Sequence, residues 1–308
     1  MDAPRVAVLP PIPQVEHAVR ASGGVTVSDP AEADAIVWMD PSSPEGLRDA
    51  LAKSPAGWVQ LPFAGIEEFL AAGVIDPGRT WTCAKGTYGP TVAEHALGLV
   101  LTAARMLHRH ARQQSWMRRS EFASARRLKG TTVLLVGTGG IGAALAEMLA
   151  PLEPRIIGVN RSGQPLAGAA KTVTVKDLKT VVGESDFIVL SAALTPETEH
   201  LFNEQVIALM RPNAWLVNVG RGRLIDTDAL ADALREKRIG GAALDVTDPE
   251  PLPDGHPLWS IEDVVITSHA ANTWEMAIPD LAERVRRNVE LFARGEPLEG
   301  LVDVKLGY

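Results

Sequence analysis

The chain has one cysteine, Cys83, in 308 residues. That excludes an internal disulfide framework and any zinc site built from several cysteines, and it fits a reducing compartment. Long apolar runs are missing as well. The most apolar helical stretch, from Ala96 to Leu107, is too short for a bilayer span and is interrupted by Thr102 and Arg105. The opening MDAPRVAVLPPIP lacks a basic segment followed by a long apolar one, so no secretory signal is expected. These absences predict a cytoplasmic protein with no membrane partner. No segment is low-complexity, and no repeat recurs at a fixed period. Positive charge is in deficit: 30 basic residues face 38 acidic ones, a net charge of −8. That balance argues against a nucleic-acid partner.

What is present reads as an ordinary folded protein, with 46% apolar and 22% charged residues. The length suggests about two domains. Short apolar, β-branched runs at 5–9, 24–27, 35–39 and 58–62 alternate with helix-like or turn-rich segments. They are continuous rather than alternating, as strands buried on both faces require. The order predicts parallel sheets with right-handed crossovers. A long helix is predicted from Thr91 through Gln114, with Thr91 as N-cap and Glu94 completing a capping box. A second series of six strands follows at 132–136, 155–160, 187–190, 215–219, 242–246 and 264–268. One helix in it is capped by Asp226 or Thr227 and stopped by Gly240 as its C′ residue. A last helix is predicted near Trp274–Arg294. Six strands with short crossovers are the inventory of a doubly wound dinucleotide-binding domain.

The first strand of the second series, TVLLV, runs into Gly137-Thr138-Gly139-Gly140-Ile141-Gly142 and then a helix. A strand before and a helix after are the context a GxGxxG needs. Gly137 permits the tight turn, Gly139 lets the backbone approach a pyrophosphate, and Gly142 allows close packing of helix on strand. Gly140 and Ile141 add exposed N–H groups at the helix start, where an anion is favoured.

A carboxylate that accepts from a ribose 2′-hydroxyl is missing at the end of the next strand, which reads Asn160-Arg161-Ser162. A carboxylate would repel a 2′-phosphate, whereas Arg161, with hydrogen-bonding groups on Asn160 and Ser162, attracts one. The alternative is that Arg161 is a solvated surface residue. The first reading predicts NADP(H) in preference to NAD(H).

Three polar residues follow the carboxyl ends of later strands, where ligands bind in open α/β sheets. They are Arg221 in NVGRG, Glu250 in DVTDPEP and His269 in SHAAN. Reduction of a 2-keto acid needs a hydride for carbon, a proton for oxygen and a clamp for the carboxylate. Arginine is the bidentate clamp. Histidine is the proton donor near neutral pH, and an adjacent glutamate favours its charged form. No metal is called for.

At this point the chain resembles the D-2-hydroxyacid dehydrogenase family over nearly its whole length. The resemblance rests on GTGGIG (137–142), LTPETEHLF (194–202), NVGRGRLID (218–226), ALDVTDPEPLP (243–253) and SHAANT (268–273). The 29-residue step from Arg221 to Glu250 and the 19-residue step to His269 match too. The resemblance implies Arg221 as substrate clamp, His269 as acid/base and Glu250 as its partner. It implies that Asp245 holds the nicotinamide carboxamide, and that backbone around Leu194, Val219 and Ala271 lines the cofactor. It also implies that backbone amides of Ala64 and Gly65, in PFAGI, bind the substrate carboxylate. Glu67-Glu68 departs from the pattern here, since many relatives carry Asp soon after that loop. Within the family, the short first domain and the Asn-Arg-Ser strand end look like glyoxylate/hydroxypyruvate reductases. Trp38 and Met39, at a strand end, face either the substrate or the core.

The implied fold is α/β, with two doubly wound parallel-sheet domains: a Rossmann cofactor domain (98–274) inserted into a flavodoxin-like substrate domain (1–97 and 275–308). The helices from Thr91 and Trp274 would form the hinge, and closure would exclude water from the hydride path. Formate oxidation on the same fold is a rival reading, but it predicts Gln where Glu250 stands. A cofactor-sensing corepressor is another, since fold alone does not fix function. Residues 105–129 hold eight basic residues and one acid, Glu121. They read as a solvated helix face and arm, paired with acids of a second subunit. The family arm implies a homodimer, with Trp116 and Phe122 as anchors.

Overall fold

Continuous apolar runs need cover on both faces, and the central strands of this chain receive it. The computed structural model describes residues 3–118, 120 and 124–304. It divides into two compact units, Met1–Tyr88 with Thr273–Tyr308, and Gly89–Asn272. Each is built on its own wholly parallel sheet.

In the first unit the strands are β1 (Arg5–Leu9), β2 (Val25–Val27), β3 (Ala35–Trp38), β4 (Trp58–Gln60) and β5 (Thr80–Thr82), in the order β2-β1-β3-β4-β5. This is the flavodoxin-like order. β5 escaped the sequence reading because it is a three-residue edge strand, Thr-Trp-Thr, with no apolar run. The helix Trp274–Arg294 belongs to this unit and ends at Gly295, whose φ of 65° makes it a left-handed C-terminal cap. Trp38 is a core residue, 6% exposed, with its indole N–H donating to the carbonyl of Asp40. Met39 is buried beside it.

The second unit holds β6 (Thr132–Val136), β7 (Arg155–Asn160), β8 (Lys171–Thr174), β9 (Phe187–Leu190), β10 (Trp215–Asn218), β11 (Gly241–Leu244) and β12 (Val264–Ile266). Their order is β12-β11-β10-β9-β6-β7-β8. Seven strands replace the six expected. The added one, β8, is a partly exposed edge strand of sequence KTVT, so it lacks the apolar signature of the others. Along β6, Leu134 and Val136 pack into one core layer while Val133 and Leu135 pack into the other. The chain builds β7 and β8 on one side of β6, then crosses to β9 on the other. That reversal places a crevice for a ligand beyond the carboxyl ends of β6 and β9.

Two helix boundaries differ from expectation. The long helix spans Gly89–Arg105, so Thr91 lies inside its first turn and forms no capping box. Gly89, the first residue of that helix, lies close to the glycine loop: a Cβ there would sit 2.8 Å from the backbone of Gly140. The helix stops at Met106, which is left-handed (φ 54°), and a short helix Leu107–Arg112 resumes. Asp226 caps the helix Thr227–Arg235, accepting from the Ala229 N–H at 3.0 Å. Gly240 is not its C′ residue. Lys237 takes the left-handed turn instead, and Gly240 serves a close approach to the backbone of Asn213.

Much of the basic stretch pairs within its own unit. Arg109 binds both oxygens of Asp263, with Nε 2.8 Å from Oδ1. Arg112 donates to the carbonyls of Glu262 and Val264. Arg126 pairs with Asp186 at 3.2 Å and Lys129 with Glu153 at 2.5 Å. Trp116 is 95% exposed, while Arg119, Glu121 and Phe122 lie outside the described residues. Among the described residues no helix is long and apolar enough to cross a membrane. None of their His, Cys, Asp and Glu side chains form a group of three that could hold a metal ion.

Candidate active site

The glycine loop joins β6 to the helix Gly140–Leu149. Gly137 has φ +99°, and a Cβ there would lie 2.6 Å from the Ala192 nitrogen. A Cβ on Gly142 would fall inside the carbonyl oxygen of Gly137. Both positions therefore require glycine, for conformation and for close approach. Gly139 differs: nothing lies within 4 Å of where its Cβ would be. The loop leaves an open cradle at a helix N-terminus whose first N–H groups have no intrahelical partner. These residues fit the pyrophosphate of a dinucleotide.

Asn160 ends β7 and organises the loop after it. Its amide nitrogen donates to the Thr138 hydroxyl and the Gln164 carbonyl, each at 2.8 Å. Its amide oxygen accepts from the Gly163 N–H at 2.6 Å. Asn160 thus ties the loop to Thr138 of the glycine turn, and Arg161 and Ser162 are exposed beside it. The charge of Arg161 helps lower the Glu197 carboxyl, after hydrogen bonds from Thr195 and the backbone. Leu194 packs on the core, and Val219 is buried with its N–H donating to the Leu190 carbonyl at 3.1 Å.

Asp245 is the first residue beyond β11, and its side chain is 1% exposed. Oδ1 accepts from the Thr267 hydroxyl at 2.5 Å and the Ala270 N–H at 2.8 Å, and Oδ2 from the Ala271 N–H at 3.1 Å. Burial alone would raise this carboxyl. Hydrogen bonds from His95, Thr267, Ala270 and Ala271 outweigh burial and hold it below the usual carboxylate range.

His269 follows β12, and its Nδ1 lies 2.6 Å from Glu250 Oε1. Nδ1 is thereby committed to the glutamate, and Nε2 is the ring nitrogen left to face a reactant. The backbone of His269 is left-handed, φ 51°. Such a φ is uncommon for a residue with a Cβ and marks a conformation imposed by its surroundings. Arg221 is half-buried after β10. Asn218 shapes its turn, donating to the Arg221 carbonyl at 2.8 Å and accepting from the Gly220 N–H at 3.0 Å. Thr227 Oγ1 also donates to the Asp248 carbonyl at 2.8 Å, which joins the segment after Arg221 to the segment before Glu250.

Ala64 and Gly65 lie in the first unit, in the turn between β4 and the helix Glu67–Ala71. The Tyr88 hydroxyl donates to the Pro62 carbonyl at 2.6 Å, and the Phe63 ring meets Tyr88 and Trp274 edge-on. Glu67 and Glu68 occupy the first turn of their helix, where negative charge is favoured. Sequence reasoning passed over His95 and Thr267, which bind Asp245. The available signal was a histidine on an otherwise apolar helix stripe and a threonine two residues before His269.

A family profile described as "D-isomer specific 2-hydroxyacid dehydrogenase, NAD binding domain" matches residues 97–271. The chain is 41% identical over 300 residues to a Corynebacterium melassecola protein known as "Uncharacterized protein in proB 3'region", covering 94% of this chain and 95% of that one. It is 35% identical over 224 residues to a glyoxylate reductase of Thermofilum pendens, covering 71% of this chain and 66% of the relative. Among solved structures it is similar to the NADPH-dependent glyoxylate/hydroxypyruvate reductase of Sinorhizobium meliloti, in complex with NADP and sulfate. The TM-score is 0.83 at 25% identity, over 99% of this chain and 100% of that one. With this profile match across its second unit, the chain belongs to the D-isomer specific 2-hydroxyacid dehydrogenase family.

Proposed function

We propose that the protein reduces a small 2-keto acid of the glyoxylate or hydroxypyruvate type to the D-2-hydroxy acid, with NADPH preferred over NADH. The observation that carries this reading is the 2.6 Å contact of His269 Nδ1 with Glu250 Oε1, at the strand ends that also present Arg221. Glu250 accepts from Nδ1 and fixes the imidazole orientation, so Nε2 faces the reactant and can pass a proton to the carbonyl oxygen. Arg221 binds the keto-acid carboxylate in the fork geometry of a guanidinium. The bound nicotinamide supplies the hydride.

The glycine loop holds the pyrophosphate, and Asp245 Oδ2, with a single hydrogen bond to Ala271, has acceptor capacity left for the nicotinamide carboxamide. Arg161 and Ser162 hold the 2′-phosphate, with Asn160 setting their loop. The likeness to an NADP-bound reductase supports this choice. Ala64 and Gly65 supply backbone amides to the substrate carboxylate. The first unit is the substrate domain, and the second, inserted within it, is the cofactor domain. The protein acts in the cytoplasm as a homodimer.

A panel of 2-keto acids assayed with NADPH and with NADH tests the reading. Glyoxylate or hydroxypyruvate should turn over, with kcat/KM higher for NADPH, and Arg161→Ala should erode that advantage. His269→Ala should collapse kcat, and Arg221→Ala should raise the keto-acid KM sharply. A kcat/KM ratio below one for NADPH over NADH would sink the cofactor assignment, and near-wild-type turnover by His269→Ala the proton donor.

A further inference from the structure

Three successive backbone N–H groups turn toward one residue. His269 N donates to the Asp245 carbonyl at 2.8 Å, Ala270 N to Asp245 Oδ1 at 2.8 Å and Ala271 N to Asp245 Oδ2 at 3.1 Å. The loop that carries His269 is wrapped around Asp245, and the left-handed φ of 51° at His269 is the turn that lets it do so. That conformation is sparsely populated for a residue with a Cβ, so the turn depends on the acceptors its amides find.

Asp245 is itself held from the other side. Thr267 donates its hydroxyl proton to Asp245 Oδ1 at 2.5 Å. The Thr267 oxygen then receives His95 Nε2–H at 3.0 Å, and the same nitrogen lies 3.4 Å from Asp245 Oδ1. His95 belongs to the helix Gly89–Arg105, not to the strand ends. The chain His95 to Thr267 to Asp245 thus ties a helix to the carboxylate whose acceptors shape residues 269–271. A buried carboxylate with one donor removed reorients to recover a partner, and here reorientation strips acceptors from the His269 loop.

We propose that His95 and Thr267 are positioning residues for His269: they fix the Asp245 carboxylate, and Asp245 fixes the backbone turn that aims the imidazole. The proposal rests on the reading of His269 as proton donor. In this reading both act through Asp245 and not on a reactant directly. Their contribution is geometric, and displacements of about 1 Å in such a shell cost up to about a hundredfold in rate.

The test compares Thr267→Val, Thr267→Ser, His95→Ala and His95→Gln, each in the wild-type and the His269→Ala background, with a thermal melt of every variant. Thr267→Val and His95→Ala should lower kcat by about ten- to a hundredfold, with the keto-acid KM within about twofold of wild type. Thr267→Ser and His95→Gln, which restore the hydroxyl and a donor nitrogen, should recover most of kcat. In the His269→Ala background none of the four should lower kcat further, because the group they aim is gone. Equal losses in both backgrounds, or unchanged kcat in folded Thr267→Val and His95→Ala, overturns the proposal. Full turnover by His269→Ala alone would instead overturn the proton-donor reading, so the two failures are distinguishable.

Discussion

Gly222 and Thr247 approach so closely that a Cβ on Gly222 would fall inside the Thr247 carbonyl. The two residues are 25 positions apart, one next to Arg221 and the other three before Glu250. Only a residue without a side chain lets these loops nest, and nesting holds the arginine and glutamate segments in one arrangement.

Gly222→Ala should therefore push the two loops apart. The expected result is a Tm lower by several degrees and a fall in kcat/KM larger than the same substitution gives at Gly57, where a Cβ meets nothing within 4 Å. Melting curves and steady-state kinetics on both variants check this. Equal behaviour of the two would remove the nesting argument.

The glycine loop separates fold from binding. Gly142→Ala drives a methyl into the Gly137 carbonyl and should destabilise the protein strongly. Gly139→Ala meets open space, so its melting temperature should stay near wild type while NADPH affinity drops about tenfold or more as the methyl fills the cradle. Differential scanning calorimetry and a fluorescence titration with NADPH read the two effects. Unchanged affinity in Gly139→Ala would show that the cradle is not the phosphate site.

Glu250→Gln keeps the shape of the side chain and a hydrogen bond to His269 while removing the charge. With His269 as donor, kcat should fall about ten- to a hundredfold, a sizeable share of an acid–base contribution, with the NADPH Kd unchanged. Retention of wild-type kcat would reduce Glu250 to a loop residue.

Asp263 sets an acid limit on stability. Burial alone would raise its carboxyl, but hydrogen bonds from His108 and Arg109 prevail and hold it at about 2, below the ordinary 3.8. A depressed folded-state value means stability that is present above about pH 4 and lost as pH falls toward 2, amounting to about 2 kcal/mol. Asp263→Asn should be less stable than wild type in urea at pH 7, and the gap should narrow by pH 3. A gap that stays constant between those pH values would contradict the assignment.

Legibility from sequence followed how local each requirement is. GTGGIG could be read because a strand, a turn of fixed shape and a helix are contiguous, and the structure gives Gly137 and Gly142 the steric duties their positions suggest. Arg221, Glu250 and His269 stood out because each follows a strand that reads as an apolar run, and the 2.6 Å contact joins the last two. β5 and β8 were invisible because Thr-Trp-Thr and Lys-Thr-Val-Thr carry no apolar run. Thr91 looked like a helix start, since a capping box is a local pattern, but the helix begins two residues earlier, at Gly89.

The sequence by itself determined two parallel α/β sheets, a glycine turn between strand and helix and the residue types at the strand ends, because periodicity and short motifs encode them within a few residues. The single cysteine and the scarcity of long apolar runs had already narrowed the field. Only the tertiary structure decided which distant segments touch. It gave the basic stretch its acidic partners in the same unit, nested Gly222 against Thr247, and linked His95 through Thr267 to Asp245. Those relationships depend on how backbones far apart in the chain come together, and no local pattern carries that information.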